Sequence, residues 1–219
     1  MANTLGIRRE DPERIGEQRC AIAPAQAKRV AEAGARLIVQ PALNPGGERK
    51  RIFDDAEYVA GGAEVLEDLS EADVIVGLKE VAPRALLSEK TYLCFSHTHK
   101  GQLKNRPLLR AMMDAGTTLI DYELICDAVG NRLLTAFTYF AGYAGLVDTL
   151  WTLGRRLKLE GVASAFEEIP QSATHPVLSD VRDILRSAGK RIDRDGTPAS
   201  LPPIIVCVLG RGKTSSGVQ

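Results

Sequence analysis

The sequence lacks a net charge, a block of like charges and a long apolar run. Lysine and arginine together number 28, and so do aspartate and glutamate, so the formal net charge is +0. A balanced charge creates no field that recruits nucleic acid or an anionic membrane surface. No apolar stretch approaches the roughly 18 residues of a membrane-spanning helix. These absences argue against a nucleic-acid partner and against a membrane role.

Cysteine is scarce and is spread through segments that otherwise indicate strand or helix. The four cysteines form no C-x-x-C motif and follow no secretory signal, which predicts reduced thiols. Acidic residues follow the N-terminus, where a mitochondrial presequence would be poor in them. We therefore expect a cytoplasmic protein. The residues concerned are Cys20, Cys94, Cys126, Cys207, Glu10, Asp11 and Glu13.

What the chain does contain is an alternation of short apolar segments and amphipathic segments. With 219 residues, 44% hydrophobic and 26% charged, it can bury the core of one domain or slightly more. The alternation predicts an α/β fold, with a Rossmann-like (flavodoxin-like) parallel sheet flanked by helices. The predicted strands are Thr4–Arg8, Arg36–Gln40, Asp73–Leu78, Thr91–Ser96, Thr118–Asp121 and Ile204–Leu209, and the predicted helices are Pro24–Ala33, Asp54–Gly61, Lys104–Ala115 and Val177–Ala188.

A longer helix is predicted over Ala141–Gly161. Its first turns, Ala-Gly-Tyr-Ala-Gly, place small residues on one face, which allows close approach to another backbone. The polar stretch Asp193–Pro203, which contains proline and glycine, is typical of a hinge. We expect a substrate domain over 1–140, connector helices and a hinge over 141–203, and the first strand and turn of a dinucleotide-binding domain over 204–219.

The apolar run Ile204–Leu209 enters a glycine-rich turn. Glycines after a buried strand let the backbone approach a pyrophosphate at a helix N-terminus, so Gly210, Gly212 and Gly217 are candidates to bind NADH or NADPH. The spacing is Gly-x-Gly-x-x-x-x-Gly rather than G-x-G-x-x-G, and any α/β fold can carry such a turn. A P-loop is the alternative, but its first glycine would fall at Cys207.

Lys79 and Glu80 follow a predicted strand at its carboxyl end, where open parallel sheets bind their ligands. A lysine in a partly desolvated pocket loses its proton more easily and can act as a base near neutral pH. The adjacent carboxylate can position that lysine or a substrate amine. An ordinary solvated Lys–Glu pair is the alternative, because charged residues usually occupy surfaces.

Two of the three histidines in the chain follow the predicted strand Thr91–Ser96. The unperturbed pKa of histidine is about 6.5, which suits proton transfer at neutral pH and makes His97 a candidate proton carrier. A metal site of Cys94, His97 and His99 is the alternative. On an extended strand Cys94 points opposite to His97, and no further ligand cluster is present, so we expect no metal.

Charged side chains in the loops are further candidates for the substrate site. Arg19 follows Glu17 between the first strand and the first helix, and its planar fork of donors matches a carboxylate. Arg19 is therefore a candidate clamp for an acid substrate. Glu123 and Arg132 are candidates of the same kind. An isolated surface side chain is the alternative for each of them.

Five segments occur in the same order as in a known enzyme family. They are Glu17-Gln-Arg19-x-Ala-x-x-Pro24, Gly77-Leu-Lys79-Glu80, Phe95-Ser-His97-Thr-x-Lys100, Leu119-Ile-Asp-Tyr-Glu123 and Ala136-Phe-x-x-x-Ala-Gly-x-Ala-Gly145. In this combination the chain resembles the lysine-ketoglutarate reductase and lysine-forming saccharopine dehydrogenase family. That family belongs to the larger group of alanine dehydrogenase and transhydrogenase N-terminal domains. The likeness covers nearly the whole chain.

The resemblance implies a reaction and a set of residues. The side-chain amine of lysine would condense reductively with 2-oxoglutarate, using NADPH or NADH, to give saccharopine, or the reaction would run in reverse. Lys79 and His97 would be the proton-transfer pair. The resemblance also implies that the substrate site is lined by Glu17, Arg19, Glu80, Glu123 and Arg132.

The family pattern continues beyond the glycine turn into a nucleotide domain. We therefore expect the chain to need a downstream nucleotide-binding domain, in the same polypeptide or as a partner subunit, before it binds its cofactor. Two alternatives remain open for the function. One is an alanine dehydrogenase-like enzyme domain. The other is a non-catalytic module for amino or keto acids, which would need neither Lys79 nor His97 in a shared pocket.

Overall fold

A computed structural model describes residues 3–134, 137–174 and 177–218 of the chain. The chain forms two compact units, Met1–Leu134 and Thr135–Gln219, termed the first unit and the second unit. Ala136, with which the fifth family-like segment begins, lies outside the described residues. The functional division at residues 140 and 203 stays a prediction.

The first unit contains a six-stranded sheet in which every neighbouring pair of strands is parallel. The strand order is β3-β2-β1-β4-β5-β6, so the chain crosses from one half of the sheet to the other between β3 and β4. This sheet confirms the predicted α/β, Rossmann-like class. The strands are β1 (Thr4–Ile7), β2 (Arg36–Val39), β3 (Glu64–Val65), β4 (Val74–Val76), β5 (Thr91–Cys94) and β6 (Thr118–Asp121).

Three α-helices of the first unit connect these strands. Pro24 begins α1, where its missing N–H costs no hydrogen bond. The backbone N–H of Asp54 donates to Glu57 Oε1 at 2.9 Å and so satisfies a donor at the start of α2. Gly116, at φ 63, follows α3 in the left-handed conformation that ends helices. The helices are α1 (Pro24–Glu32), α2 (Asp55–Ala60) and α3 (Arg106–Asp114).

Alternate residues of β2 pack into different clusters, as a strand covered on two faces requires. Leu37 and Val39 pack with Ala27 of α1. Ile38, between them, packs with Leu108 of α3. This part of the sheet is therefore buried on two faces, and the carboxyl edge of the sheet is left to the loops.

The second unit is helical. Its helices are α4 (Phe137–Leu159), α5 (Leu178–Asp195) and the short α6 (Lys213–Ser216). α4 begins four residues before the predicted start. Its apolar face forms a core with α5 that includes Val147, Leu157, Phe166, Ile169 and Val181. Among the residues that the structure describes, no helix has the length and apolar character to cross a bilayer.

Two glycines of α4 and the glycine that follows α6 lie against neighbouring backbone, which explains their lack of a side chain. A Cβ on Gly142 would overlap the backbone of Thr214, and one on Gly217 would overlap that of Tyr139. A Cβ on Gly154 would lie 2.6 Å from the carbonyl carbon of Phe166. The small-residue face predicted for this helix therefore serves packing within the second unit.

The predicted strand Ile204–Leu209 is wrong. None of its residues joins a β-ladder with the described part of the chain, and Ile205 and Leu209 are 86% and 90% exposed. A strand is held by hydrogen bonds to a neighbouring strand, and the second unit offers none in its described residues. Ile204 instead packs at the margin of the helical core.

Gly154→Ala should lower the free energy of unfolding by about 1–3 kcal/mol, because the added methyl overpacks the contact with Phe166. Gly145→Ala is the matched control, since no described atom beyond its chain neighbours and the adjacent backbone of its own helix lies within 4 Å of the place its methyl would take. Alanine there also favours helix by up to about 1 kcal/mol. Urea unfolding of the two variants measures this. Equal stability of the two variants would contradict the packing described for α4.

Candidate active site

The predicted site residues of the first unit lie in the segments that follow the carboxyl ends of the strands. In a parallel sheet these ends meet at one edge. β1 and β4 are neighbours although β2 and β3 separate them along the chain, and this reversal of strand order is where open α/β sheets bind ligands. Glu17 and Arg19 follow β1, Lys79 and Glu80 follow β4, His97 follows β5, and Glu123 and Arg132 follow β6.

Lys79 is held through its backbone by two buried side chains. Its N–H donates to Glu10 Oε2 at 3.0 Å, and its carbonyl accepts from Arg8 Nη1 at 3.3 Å. A Cβ on the neighbouring Gly77 would lie 2.8 Å from Arg8 Cδ, so glycine is needed for this approach. The Lys79 side chain is left partly buried. Its charge lowers the pKa of Glu17, which places the two side chains in one electrostatic environment.

Glu10 and Arg8 form a buried ion pair beneath this segment. Glu10 Oε2 lies 3.7 Å from Arg8 Nη1, and Glu10 Oε1 accepts the N–H of Leu78 at 2.8 Å. Arg8 Nη2 also contacts Asp11 Oδ1 at 2.9 Å. Burial raises the pKa of Glu10, and this exceeds the lowering effect of Arg8 and of the two backbone N–H groups.

His97 has an unusual backbone and a carboxylate partner. Its φ is 53, in the left-handed region that residues with a Cβ seldom occupy and that often marks functional sites. Its Nδ1 lies 2.7 Å from Glu80 Oε1, and its ring stacks on Phe95 at a centroid distance of 6.3 Å. A carboxylate on Nδ1 orients the ring and leaves Nε2 to exchange a proton.

Glu80 connects His97 to an arginine of the β1–α1 loop. One of its oxygens contacts His97, and the other forms an ion pair with Arg14. Burial raises the pKa of Glu80, but the hydrogen bond with His97 and the charge of Arg14 outweigh it, so the net pKa is lowered. Glu80 is therefore an ionised partner for His97.

Asp121, the last residue of β6, fixes the chain around His97. Its Oδ2 accepts from Ser96 Oγ at 2.6 Å, from the Ser96 N–H at 2.9 Å and from the His97 N–H at 3.1 Å. Its Oδ1 accepts the Glu123 N–H at 2.8 Å. Burial raises the pKa of Asp121, but these donors outweigh it and lower the pKa below its ordinary value.

Glu123 lies near the side chains of Lys100, Arg132 and His97. Lys100 Nζ lies 2.7 Å from its Oε2, and Arg132 Nη1 lies 3.3 Å from its Oε1. His97 Nε2 is 3.8 Å from Oε2, which is beyond hydrogen-bond distance. Burial raises the pKa of Glu123, but the contact and charge of Lys100, with smaller effects of His97 and Arg132, lower it overall.

Glu17 and Arg19 form a two-pronged pair of their own. Arg19 Nε donates to Glu17 Oε1 at 2.8 Å, and Arg19 Nη2 donates to Oε2 at 2.6 Å. Burial raises the pKa of Glu17, but the Arg19 contact outweighs it and the pKa is lowered. The Arg19 side chain remains 56% exposed. A substrate carboxylate can therefore reach this guanidinium, in exchange for Glu17.

The structure thus joins some predicted residues directly and others through charge. Contacts connect Glu80, His97, Glu123 and Arg132 in one chain. Glu17 and Arg19 form a second group, which Lys79 influences electrostatically. The arrangement offers two titratable groups, nearby carboxylates, and arginines for anionic substrate groups. The individual roles stay predictions.

Three side chains have the spacing of a metal site, but the carboxylates among them already have hydrogen-bond or ion-pair partners. One ligand atom each of His99, Asp121 and Glu123 lies within 4.8 Å of the others. Asp121 Oδ2 already accepts three hydrogen bonds, and the Lys100 ammonium occupies the Oε2 side of Glu123. A divalent cation would have to displace these donors, so the donor set does not favour a metal.

In the glycine turn of the second unit, Gly210 and Gly212 are exposed, whereas Gly217 is buried. Gly210 has φ 94, and Gly212 immediately precedes α6. Gly217 lies against Tyr139, so its missing side chain is explained by packing on α4. α6 has only four residues, and no strand of the described chain flanks the turn. These residues alone do not fit a nicotinamide dinucleotide, and their role in cofactor binding stays a prediction.

We did not select Arg8, Glu10, Arg14 or Asp121 as site residues from the sequence. Arg8 and Glu10 come directly after the apolar strand β1, so the same rule that selected Lys79 would have selected them. Asp121 ends β6 inside a family-like segment. The Asp121 side chain is buried. A carboxylate in a predicted buried strand needs hydrogen-bond donors, and this requirement could have identified it.

Asp121→Asn should lower the stability of the protein at pH 6 by about 2 kcal/mol, because charge-assisted hydrogen bonds are lost. The pKa of folded Asp121 lies below the ordinary 3.8, so its contribution is present above that pH and disappears as the pH falls through the folded value. Urea unfolding at pH 6 and at strongly acidic pH compares the two proteins. An equal difference at both pH values would contradict this linkage.

Comparison with known proteins identifies relatives of this chain. The Alanine dehydrogenase/PNT, N-terminal domain family matches residues 6–144. The alpha-aminoadipic semialdehyde synthase of Arabidopsis thaliana is 36% identical over 209 residues, which are 93% of this chain and 19% of that protein. The saccharopine dehydrogenase [NAD(+), L-lysine-forming] of Neurospora crassa is 29% identical over 226 residues, which are 99% of this chain and 55% of that protein.

A solved structure supports the fold. An L-alanine dehydrogenase superposes with a TM-score of 0.54 at 23% identity, over 72% of this chain and 42% of that one. At this identity the likeness concerns the fold alone. The chain spans about a fifth of the Arabidopsis relative and about half of the Neurospora relative.

Proposed function

Because the chain belongs to the alanine dehydrogenase/PNT N-terminal domain family, we propose that it is the substrate-binding part of an NAD(P)-dependent oxidoreductase of lysine metabolism. The reaction joins lysine to 2-oxoglutarate with loss of water and reduction to saccharopine, or runs in reverse. The observation that carries the proposal is the His97–Glu80 contact beside Lys79, at the carboxyl edge of the sheet. The names of the relatives support lysine and saccharopine as substrates.

The proposed reaction needs proton transfer at several steps. The lysine amine must lose a proton before it attacks the keto carbon, and the resulting carbinolamine must lose water to become an imine. Lys79 and His97 supply two groups that can take and return protons. Glu80, whose own pKa is lowered, stays ionised and lies 2.7 Å from Nδ1 of His97.

The anionic groups of the substrate need cations at the rim. 2-Oxoglutarate carries two carboxylates, and Arg19 and Arg132 each present an exposed guanidinium. In the structure each arginine contacts a glutamate of the protein, namely Glu17 or Glu123. Substrate carboxylates replace these partners on binding, so no arginine is left unpaired in either state.

The nicotinamide cofactor, NADH or NADPH, supplies the reducing equivalent when it is bound. The turn around Gly210 and Gly212 is too incomplete to hold it alone, because no strand pairs with 204–209 in the described chain. We infer that a nucleotide-binding domain, in a longer polypeptide or in a partner subunit, supplies the flanking strands and completes the site.

A fusion protein tests the proposed function. The 219-residue chain is joined to the part of the Neurospora saccharopine dehydrogenase that lies beyond the matched region, and this product is termed the fusion enzyme. It should oxidise saccharopine with NAD⁺ and, in reverse, consume reduced cofactor only when lysine and 2-oxoglutarate are both present. Cofactor consumption with pyruvate and ammonia instead would favour an alanine dehydrogenase-like enzyme and reject the lysine reaction.

A further inference from the structure

Two buried carboxylates at the carboxyl edge, Glu10 and Asp121, have no part in the chemistry described above. Glu10 is 1% exposed and Asp121 is 5% exposed, and each is bonded to the backbone of a proposed proton carrier. Resting on the proposed function, we propose that the two are positioning residues. Glu10 sets the place of Lys79, and Asp121 sets the place of His97.

Glu10 accepts backbone hydrogen bonds at the point where the ladder between β4 and β5 ends. The Leu78 carbonyl still accepts the N–H of Phe95 at 3.0 Å, as in a continuing ladder. The next two donors, the N–H groups of Leu78 and Lys79, instead donate to the two oxygens of Glu10 at 2.8 and 3.0 Å. Arg8, paired with Glu10, donates to the Lys79 carbonyl. One buried ion pair thus holds the two polar backbone groups of Lys79.

Asp121 does the same for His97 from the other side. Its Oδ2 accepts the N–H groups of Ser96 and His97, and it also accepts the Ser96 hydroxyl. These bonds hold His97 in its left-handed conformation, at φ 53. That conformation brings Nδ1 to 2.7 Å from Glu80. Asp121 therefore acts on the proton carrier through the backbone and contacts no reacting atom.

The chemistry of the two positions calls for a carboxylate. Its two oxygens only accept hydrogen bonds, whereas an amide of the same shape offers one acceptor and one donor. In Glu10→Gln the new NH₂ would face a backbone N–H, of Leu78 or of Lys79. In Asp121→Asn, whichever way the amide turns, at least one backbone N–H loses its acceptor. The two variants keep the volume of the side chain and remove one of its two hydrogen-bond acceptors.

NMR on the 219-residue protein without ligand tests this. In Glu10→Gln, at least one of the amide hydrogens of Leu78 and Lys79 should exchange at least about tenfold faster than in the parent, because an unpaired donor opens more often. In Asp121→Asn, at least one of the amide hydrogens of Ser96, His97 and Glu123 should do so. Where the His97 amide loses its acceptor, the ring ¹H–¹⁵N spectrum of neutral His97 should also lose the tautomer with hydrogen on Nδ1, which the contact with Glu80 favours.

Two control variants remove matched carboxylates elsewhere. Glu57 accepts the backbone N–H of Asp54, and Asp127 accepts those of Val129 and Asn131. Glu57→Gln and Asp127→Asn should leave exchange at Lys79 and His97, and the His97 ring spectrum, unchanged. A loss of general stability, as expected for Asp121→Asn, accelerates exchange along β4 and β5 by a common factor, so the local effect is the excess over that factor.

The proposal would be overturned by unchanged exchange at both Leu78 and Lys79 in Glu10→Gln, or at all of Ser96, His97 and Glu123 in Asp121→Asn. Local acceleration no greater than that of the rest of the sheet would also overturn it, as would an unaltered His97 tautomer when the His97 amide has lost its acceptor. If Glu10→Gln does not fold, Glu10→Asp withdraws the two acceptors by one methylene, and the same local acceleration is expected or the Glu10 half is rejected. These measurements involve no substrate. Their failure leaves the lysine reaction standing, and an inactive fusion enzyme leaves the measured positions standing.

Discussion

His97→Gln in the fusion enzyme should lower kcat for saccharopine oxidation by about 10²–10⁴-fold, the usual contribution of one general acid–base group. Lys79→Met should have an effect of the same order. The KM for saccharopine should change little in either variant, because the arginines that bind its carboxylates remain in place. Steady-state kinetics with NAD⁺ measures this.

The matched control is His99→Gln. The nitrogens of His99 lie 3.5 Å and 3.6 Å from the carboxylates of Asp121 and Glu123, beyond ordinary hydrogen-bond distance. His99 has no counterpart of the His97–Glu80 contact, so its loss should leave kcat nearly unchanged. Equal losses in the His97 and His99 variants, or a His97 variant with full activity, would remove the proton-transfer role.

Arg19→Ala should weaken the binding of 2-oxoglutarate to the 219-residue chain by about 10–150-fold, equivalent to 1.5–3 kcal/mol for a charge-assisted hydrogen-bonded pair. The wild-type side chain already forms a two-pronged contact with Glu17, so its fork is preorganised for a carboxylate. Calorimetric titration of the two proteins compares the affinities.

Arg36→Ala provides the control for charge alone. Arg36 also forms a two-pronged contact with a glutamate, Glu64, but it begins β2 and so lies at the amino edge of the sheet. Its removal should leave the affinity for 2-oxoglutarate unchanged. A similar loss of affinity in the two variants would show that net charge, and not the Arg19 position, governs binding.

Much of the sheet could be predicted because five of its strands are apolar runs. β3 could not, since Glu64–Val65 contains no apolar run and becomes a strand only through pairing with β2. The opposite error occurred at Ile204–Leu209, which has the composition of a buried strand. Composition gives the tendency of a segment, but a strand also needs a partner, and sequence does not reveal whether one is present.

The candidate site, like the sheet, could be predicted from the sequence only in part. Lys79 and His97 could be chosen because they follow apolar strands and carry titratable groups. Glu10 could not be linked to Lys79, because the bond joins residues 69 positions apart and its donor is a backbone N–H. Nor did the sequence indicate the pairing of Arg19 with Glu17. Contacts of this kind depend on which strands become neighbours, which is decided by the fold.

The most direct test of the central claim is an amide-detected NMR titration of the 219-residue chain with saccharopine. We predict saturable shifts at Arg19, Lys79, His97 and Glu123, which follow four strands at the carboxyl edge, and none at Arg36 at the amino edge. Lysine and 2-oxoglutarate added together should perturb the same residues. The absence of binding at millimolar concentration, or shifts centred away from Lys79 and His97, would contradict the assignment of this edge as the substrate site.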